Sequence, residues 1–511
     1  MKADYDLLVI GGGVNGAGIA RDAAGRGMSV LLVEAQDLAG ATSSASTKLI
    51  HGGLRYLEYF EFHLVGAALR EREVLLRLAP HIIWPLDFVL PYYPQLRPAW
   101  LIRLGLYLYD HLGGKTSLKK STPLNLRQHP FGAALQDRHK KGFSYADCAV
   151  YDSRLVVLNA LDAAELDAHI STRTACTGLR VTDGRWQAEL RDVDTEQMLT
   201  VTADMVVNAS GPWVHEVLEG NRLTRARITP QIRLVKGSHI IVPKIFDGEQ
   251  AYILQQPDRR IVFAIPYEGE FTLIGTTDVD YAGDPARPEI TAEEKEYLCD
   301  AVNFYFKKQI APADIVYSYS GVRPLMDDGK GKASEVTRDY HLEFEESFGA
   351  PLLSVFGGKI TTYRRLAEEA VNKLVPHWLE RNREGAASSR LPQVAWTHSV
   401  PLPGGDILNG NFDEFLQEQK ERYPFLPEKL AERYARAYGT RMDRMLDGAT
   451  DLNSLGRHFG DDLYLAEVEY LRSKEWAKTA EDILWRRSKL GLHLSDNTKA
   501  QLEHYMRLRH D

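Results

Sequence analysis

The side chains able to handle an anion and a proton together sit in a few short stretches. "STKLIHGGLRYLE", Ser46 to Glu58, places Lys48, His51, Arg55 and Tyr56 around a glycine pair. Further along come His239 in "KGSHI", Arg323 in "GVRPL", Arg338 in "TRDY" and Lys359 in "GGKIT". Guanidinium forks match the paired oxygens of a phosphate or carboxylate, and an ammonium adds a point charge. An imidazole that stays neutral can take a proton from a hydroxyl. Each stretch alone has a plainer explanation. Gly-Gly ahead of an amphipathic run is turn punctuation, and Arg-Asp-Tyr is the usual makeup of a surface ion pair.

The elements that must position these residues begin at the N-terminus. "DLLVIGGGVNGAGIARDAAGRGMSVLLVEAQD" runs from an apolar strand into Gly11-x-Gly13-x-x-Gly16, then an alanine-rich helix ending near Gly27, then a strand closing on Glu34. The first glycine allows the tight turn, the second lets backbone approach a pyrophosphate, and the third permits close helix–strand packing. The helix N-terminus stabilises the phosphate charge, and Glu34 is placed to take the ribose hydroxyls, so a dinucleotide is the expected ligand. The fingerprint does not separate NAD from FAD. A small, hydroxyl-rich loop four residues after Glu34, with Thr42, Ser43, Ser46, Thr47 and Lys48, favours an extended FAD over a continuing βα alternation. "ADMVVNASGPWV" ends a strand in small residues, with Ser210, Gly211 and Trp213 beside the expected cofactor. "PLLSVFGGKITTYRRLAEEAV" repeats the logic, with Gly357, Gly358, Lys359, Thr361 and Thr362 at a helix start suited to an electron-rich ring. Asn15, inside the fingerprint loop, completes the cofactor set.

Together, "GGGVNGAGIARDAAGRG", "SSASTKLIHGGLRYLE", "LVKGSHIIVP", "IGTTDVDY", "YSGVRPL", "SVFGGKITTYRRLAE" and the C-terminal "EDILWRRSKLGL" resemble the FAD-dependent glycerol-3-phosphate dehydrogenases of respiratory chains, bacterial aerobic type. The resemblance covers nearly the whole chain. It implies oxidation of sn-glycerol 3-phosphate to dihydroxyacetone phosphate, electrons passed to a membrane quinone, peripheral attachment to the inner face of the cytoplasmic membrane, and a homodimer. It assigns Arg55, Tyr56, His239, Arg323, Arg338 and Lys359 to substrate, and Ser46, Thr47 and Lys48 to the flavin side. On chemical grounds His51 is the first choice of base and His239 the second, Arg323 stabilises a developing alkoxide, and Lys359 the negative charge on a reduced flavin. An oxygen-using glycerol-3-phosphate oxidase and an amine or amino-acid oxidase of the same fold are the alternatives. No cysteine stands beside the expected ring, so the FAD is expected to be non-covalent.

Composition bounds the rest. The 511 residues carry 62 Lys and Arg against 70 Asp and Glu, a net charge of −8, which disfavours nucleic acid. Cys148, Cys176 and Cys299 are scattered without a CxxC, so no metal site is expected, and a reducing cytoplasm fits. No cleaved signal and no run long enough to span a membrane are evident. The aromatic stretch from Leu78 to Leu112 reads either as a buried core helix or as a surface for lipid, with Arg97 and Arg103 available to head groups. The expected architecture is α/β: an interleaved Rossmann-like FAD domain of the glutathione-reductase or D-amino-acid-oxidase type over 1–75, 145–228 and 345–385. An antiparallel, β-rich substrate cap covers 76–144 and 229–344, a linker spans Arg383 to Gln393, and a helical domain covers 400–511.

Overall fold

The computed structural model describes residues 3–93, 95, 97–223, 232–258, 260–326, 339–381 and 395–509. Among them the chain builds two large sheets, of eight and ten strands, and a C-terminal domain. The linker stretch 383–393 and Arg338 lie outside the described residues.

The first sheet has Tyr5–Ile10 at its centre, with Val30–Glu34 and then His169–Thr172 on one side and Met198–Asn208 and Leu352–Gly357 on the other, all parallel. Its central strand reads as an unbroken apolar run because both faces are covered. Leu7 and Val9 pack into a core with the helices Val14–Gly25, Asp152–Glu165 and Tyr363–Arg381, while Leu8 and Ile10 join Leu179, Trp186 and Leu190 on the opposite face. The strands Thr174–Thr182 and Arg185–Asp192 extend the sheet antiparallel. The cofactor loops all leave at the carboxyl ends of the parallel strands, the usual ligand edge of such a sheet.

The second sheet is mostly antiparallel, with one parallel pair between Ile83–Pro91 and Ala251–Gln255. Strand Ile232–Pro243 lies between Phe271–Gly275 and Tyr317–Met326, which sets His239 opposite Gly275 on one side and Tyr319 on the other, and Val235 opposite Arg323. Two expected boundaries move. Lys141–Val150 pairs along its length with Ile83–Pro91 and belongs to the cap sheet. Tyr340–Glu345 pairs with Leu352–Gly357 and belongs to the first sheet.

The aromatic stretch divides in two. "IWPLDFVLP" is a largely buried strand of the cap sheet, so its bulk serves the core and not a lipid surface. The helix Ala99–Leu112 buries Ile102, Leu106 and Tyr109, and exposes Trp100, Leu101, Leu104 and Tyr107. Phe60, 78% exposed, and Phe62 also face solvent. Arg97 is paired with Glu58, and Arg103 donates to the Ser121 hydroxyl and carbonyl, so both cations expected to meet head groups have partners within the chain. No described helix is long and apolar enough to cross a membrane.

The C-terminal domain has its own core of Leu430, Tyr434, Tyr438, Phe459, Leu471 and Leu502. It is mainly helical, with one short strand pair, His458–Gly460 with Leu463–Tyr464. Its seam with the first sheet is rich in buried charge: Arg154 of the helix Asp152–Glu165 forks onto Glu475.

Candidate active site

Gly11 sits at φ +111°, and a Cβ there would lie 2.5 Å from the Ala209 carbonyl oxygen, so the first turn of the fingerprint admits glycine alone. A Cβ on Gly16 would lie 1.9 Å from the Gly11 carbonyl, which makes Gly16 a packing residue. The turn leads into the helix Val14–Gly25, whose Val14 amide donates to the Ser43 hydroxyl at 3.0 Å. Glu34 accepts from the Gly12 amide at 2.6 Å and the Gln36 amide at 2.7 Å. Burial raises its pKa against those two donors. Each carboxylate oxygen keeps a second acceptor position for a ribose hydroxyl.

A single cleft of about 510 Å³ runs from this fingerprint across the face of both sheets. Gly11, Gly13, Asn15, Glu34, Thr42, Ser43, Ser46 and Thr47 line one part, and Ser210, Gly211 and Trp213 another. Gly357, Gly358, Lys359 and Thr361 lead to the far part, where His51, Tyr56, His239 and Arg323 stand. Asn15 donates to the Gly357 carbonyl at 3.2 Å, while its buried Oδ1 has no partner among the described residues. An orphaned acceptor, a helix N-terminus, a ribose-type carboxylate and a small-residue wall suit the donors and charges of FAD.

Thr47, Ser46 and Thr42 also tie the cofactor loop to its surroundings. Thr42 donates to the Val322 carbonyl at 2.6 Å, Ser46 to Asp152 at 2.8 Å, and Thr47 meets His239 Nε2 at 3.0 Å. Lys48 departs from expectation. Its ammonium is buried against Asp152 at 2.8 Å and the Ser44 carbonyl at 2.9 Å, outside the cleft lining, because the helix Asp152–Glu165 sets a carboxylate directly across from it. Thr362 is likewise buried beside the cleft and does not line it.

His51 and His239 differ in character. The His51 backbone exchanges hydrogen bonds with Thr361, N–H to Oγ1 at 3.2 Å and Oγ1 to carbonyl at 3.3 Å, which fixes the residue next to the Gly357-Gly358 turn. Burial lowers its imidazole pKa. Asp147 opposes the shift, and Lys359 and Arg72 reinforce it. His239 is stacked on Tyr319 at 4.8 Å, and burial, Lys48 and Arg323 push its pKa well below the ordinary value. Its Nδ1 has no partner among the described residues. Both rings are therefore neutral near pH 7.

The cations are held by a residue that the sequence reading missed. Asp278 pairs with Arg323 at 2.8 Å and lies 3.9 Å from Arg55, bracketing both guanidinium groups. Arg323 also donates to the Thr277 carbonyl at 3.1 Å. Lys359 stands 3.9 Å over the Tyr56 ring, a cation–π contact that orients the ammonium without neutralising it. Arg55 itself is outside the cleft lining, although it immediately precedes Tyr56 in the short helix Leu54–Tyr59. The Asp in "IGTTDVDY" was the available signal for Asp278, but an acid in an anion pocket runs against simple charge matching. No group of residues suited to a metal ion occurs among the described residues.

Comparison with known proteins identifies the family and the cofactor. The D-erythritol 1-phosphate dehydrogenase of Brucella abortus is 52% identical, covering 97% of this chain and 96% of that protein. The glycerol-3-phosphate dehydrogenase of Pseudomonas aeruginosa is 52% identical over 99% and 96%, and the aerobic glycerol-3-phosphate dehydrogenase of Escherichia coli 50% identical over 98% and 97%. The crystal structure of the glycerol-3-phosphate dehydrogenase from Bacillus halodurans complexed with FAD superposes with a TM-score of 0.79 at 28% identity, over 99% of this chain and 90% of that one. The family described as FAD dependent oxidoreductase matches residues 6–364, and the C-terminal domain of alpha-glycerophosphate oxidase matches residues 395–510. The chain belongs to the FAD-dependent oxidoreductase family and carries that C-terminal domain.

Proposed function

We propose that this enzyme oxidises the secondary alcohol of sn-glycerol 3-phosphate to the ketone of dihydroxyacetone phosphate. The observation that carries the reading is the continuity of one cleft from the dinucleotide fingerprint to His51, His239, Arg323 and Lys359. FAD, held by Glu34, the turn at 11–16, the loop 42–47, Ser210 to Trp213 and Gly357 to Thr361, supplies when bound the acceptor for the hydride released from C2. His51, neutral and buried, takes the hydroxyl proton at a ring nitrogen. Arg323 stabilises the oxygen as negative charge grows there, and His239 offers a hydrogen bond from a ring that does not itself become charged. Tyr56 and Lys359, which line the cleft, hold the phosphate, with Arg55 adding its charge from just outside that lining and Arg338, which lies outside the described residues, completing the set. Asp278 holds Arg55 and Arg323 beside one carboxylate, so that both guanidinium groups are already placed when a dianion arrives.

Anaerobic mixing tests the reading: sn-glycerol 3-phosphate should bleach the bound flavin within one turnover, and glycerol should not. A flavin that stays oxidised would overturn it. A second substrate reading has specific support, because the erythritol 1-phosphate enzyme is as similar to this chain as the Pseudomonas glycerol-3-phosphate enzyme. Both substrates are polyol phosphates, and the ratio of their bleaching rates decides between them. We assign the electrons to a membrane quinone, with the chain as a homodimer on the inner face of the cytoplasmic membrane. The exposed Trp100, Leu101, Leu104 and Tyr107 support docking to lipid. An oxidase would instead release hydrogen peroxide in stoichiometric amounts under air.

A further inference from the structure

The C-terminal "EDILWRRSKL" supplies no group to the proposed reaction, yet its charged residues reach Asp37 and Arg173, which adjoin residues that line the cofactor cleft. Asp482–Arg487 form a turn of π-helix whose Ile483 and Leu484 pack into the C-terminal core. Its polar residues turn the other way. Arg487, fully buried, forks onto Asp37 at 2.6 and 2.7 Å and donates twice more to the Glu475 carbonyl. Arg486 donates to the same Asp37 at 2.5 Å and also pairs with Asp482. Asp482 in turn accepts from Arg173 at 2.9 and 3.1 Å, and the Arg173 amide donates to the Gln36 carbonyl at 2.8 Å. The contacts close a ring: Asp37, Arg486, Asp482, Arg173, Gln36 and back along the chain to Asp37.

That ring encloses the backbone of two cleft walls. Asp37 lies three residues after Glu34, in the loop whose Ala35, Gln36 and Gly40 line the cleft. Arg173 immediately precedes Thr174, Ala175 and Cys176, which line the same end, and its own backbone is in the left-handed region at φ +55°. The 35–40 loop is not a regular element and has no ladder of its own to fix it, while Thr174 to Cys176 open the strand Thr174–Thr182, whose ladder with Arg185–Asp192 leaves Arg173 as its junction with the loop. Burial works against the charge of Asp482, but Arg486, Arg173 and Arg487 more than offset this and hold its carboxyl well below the usual range. Asp482 is therefore charged at neutral pH.

We propose that Asp482, Arg486 and Arg487 are positioning residues through which the C-terminal domain fixes the 35–40 loop against Arg173, at the start of the strand Thr174–Thr182, as a preorganised wall for the Glu34 end of FAD, and so sets how slowly the cofactor leaves. A wall already ordered spares the bound cofactor the cost of ordering it, a gain expressed in the dissociation rate. The inference does not depend on which polyol phosphate is oxidised.

The test uses the holoenzyme and reads flavin release by fluorescence after dilution, beside a thermal melt of the same sample. Asp482→Asn and Arg173→Gln should each speed FAD release by about tenfold or more, the equivalent of roughly 1.4 kcal/mol. The kcat measured at saturating FAD should be unchanged. Glu165→Gln is the control, because it cuts the Arg441 and Arg444 pairs, which join the same two domains but touch no cleft residue. It should lower the melting temperature without altering release. The inference falls if Glu165→Gln releases FAD as fast as Asp482→Asn, or if Arg173→Gln, whose partly exposed side chain makes it the milder change, releases FAD at the parental rate.

Discussion

His81 gives a sharp test of how the seam between the domains is built. It follows the helix Phe62–Leu78, is fully buried, and has no hydrogen-bond partner at either ring nitrogen among the described residues. Gly404 and Gly439 lie against its ring, positions where a Cβ would approach to 3.1 and 3.0 Å. Burial, with Arg154 and Arg436 nearby, pushes its pKa down to about 3. The unfolded chain restores an ordinary value of about 6.5. The unfolded state therefore binds the proton first as pH falls, and the folded state loses stability from about pH 6.5 down to the folded pKa, at up to roughly 1.4 kcal/mol per pH unit. Between pH 7.5 and 5 this single group should cost about 2 kcal/mol. His51 and His239 act in the same direction, so the comparison must isolate His81. His81→Leu keeps a similar volume and removes the titration, and since no hydrogen bond is lost it should be at least as stable at pH 7.5. Urea midpoints followed by tryptophan fluorescence at pH 7.5 and pH 5 should show the parent losing about 2 kcal/mol more than the variant over that interval. Equal losses in the two proteins would refute the reasoning.

Chemistry, cofactor and surface give three more expectations. His51→Ala should lower kcat by about 10²- to 10⁴-fold with a smaller change in KM, and Lys359→Met, which removes a charge that lowers the His51 pKa, should move the acid limb of the kcat/KM profile to higher pH. A limb that moves the other way would remove His51 from the role of base. Acid precipitation should release all the yellow colour, and colour retained in the pellet would mean a covalent flavin. Leu101→Asp with Leu104→Asp, both at exposed positions, should shift the protein from membranes to supernatant while dye-linked activity persists. Continued sedimentation with membranes would exclude this helix as the docking face.

The first sheet was legible because its signals are local. A strand, three glycines at fixed spacing and an acid at the end of the next strand can be read within thirty residues, and the constraint at Gly16 is a contact with the nearby Gly11 carbonyl, whereas that at Gly11 is with Ala209, distant in the sequence. The gathering of His51, His239, Arg323 and Lys359 was not legible from spacing, since it depends on residues of both sheets lining one cleft. Resemblance supplied it. Lys48 was misread because nothing near it in sequence shows that Asp152 stands across from it. "IWPLDFVLP" was ambiguous for a related reason: an apolar aromatic run looks the same whether protein or lipid covers it. Only the pairing with Lys141–Val150 distinguishes the two.

The ring at Asp37 shows why charge is the hardest thing to read from a sequence. "EAQD" and "LWRRSK" each look like solvated surface, where an ion pair contributes at most about 1 kcal/mol. Asp37 and Arg487 are 450 residues apart along the chain and, in the fold, buried together: Asp37 is 1% exposed and Arg487 0%. Burial changes what such residues do. A buried pair gains little over an apolar contact in net stability, but removing one partner strands the other, so the pair enforces one arrangement against all near alternatives. Under the proposed assignment of Glu34 to the FAD ribose, the loop that follows this carboxylate benefits from that intolerance more than from additional stability. The same reasoning covers Asp278 between Arg55 and Arg323, where a carboxylate in an anion pocket weakens the field slightly and fixes its direction.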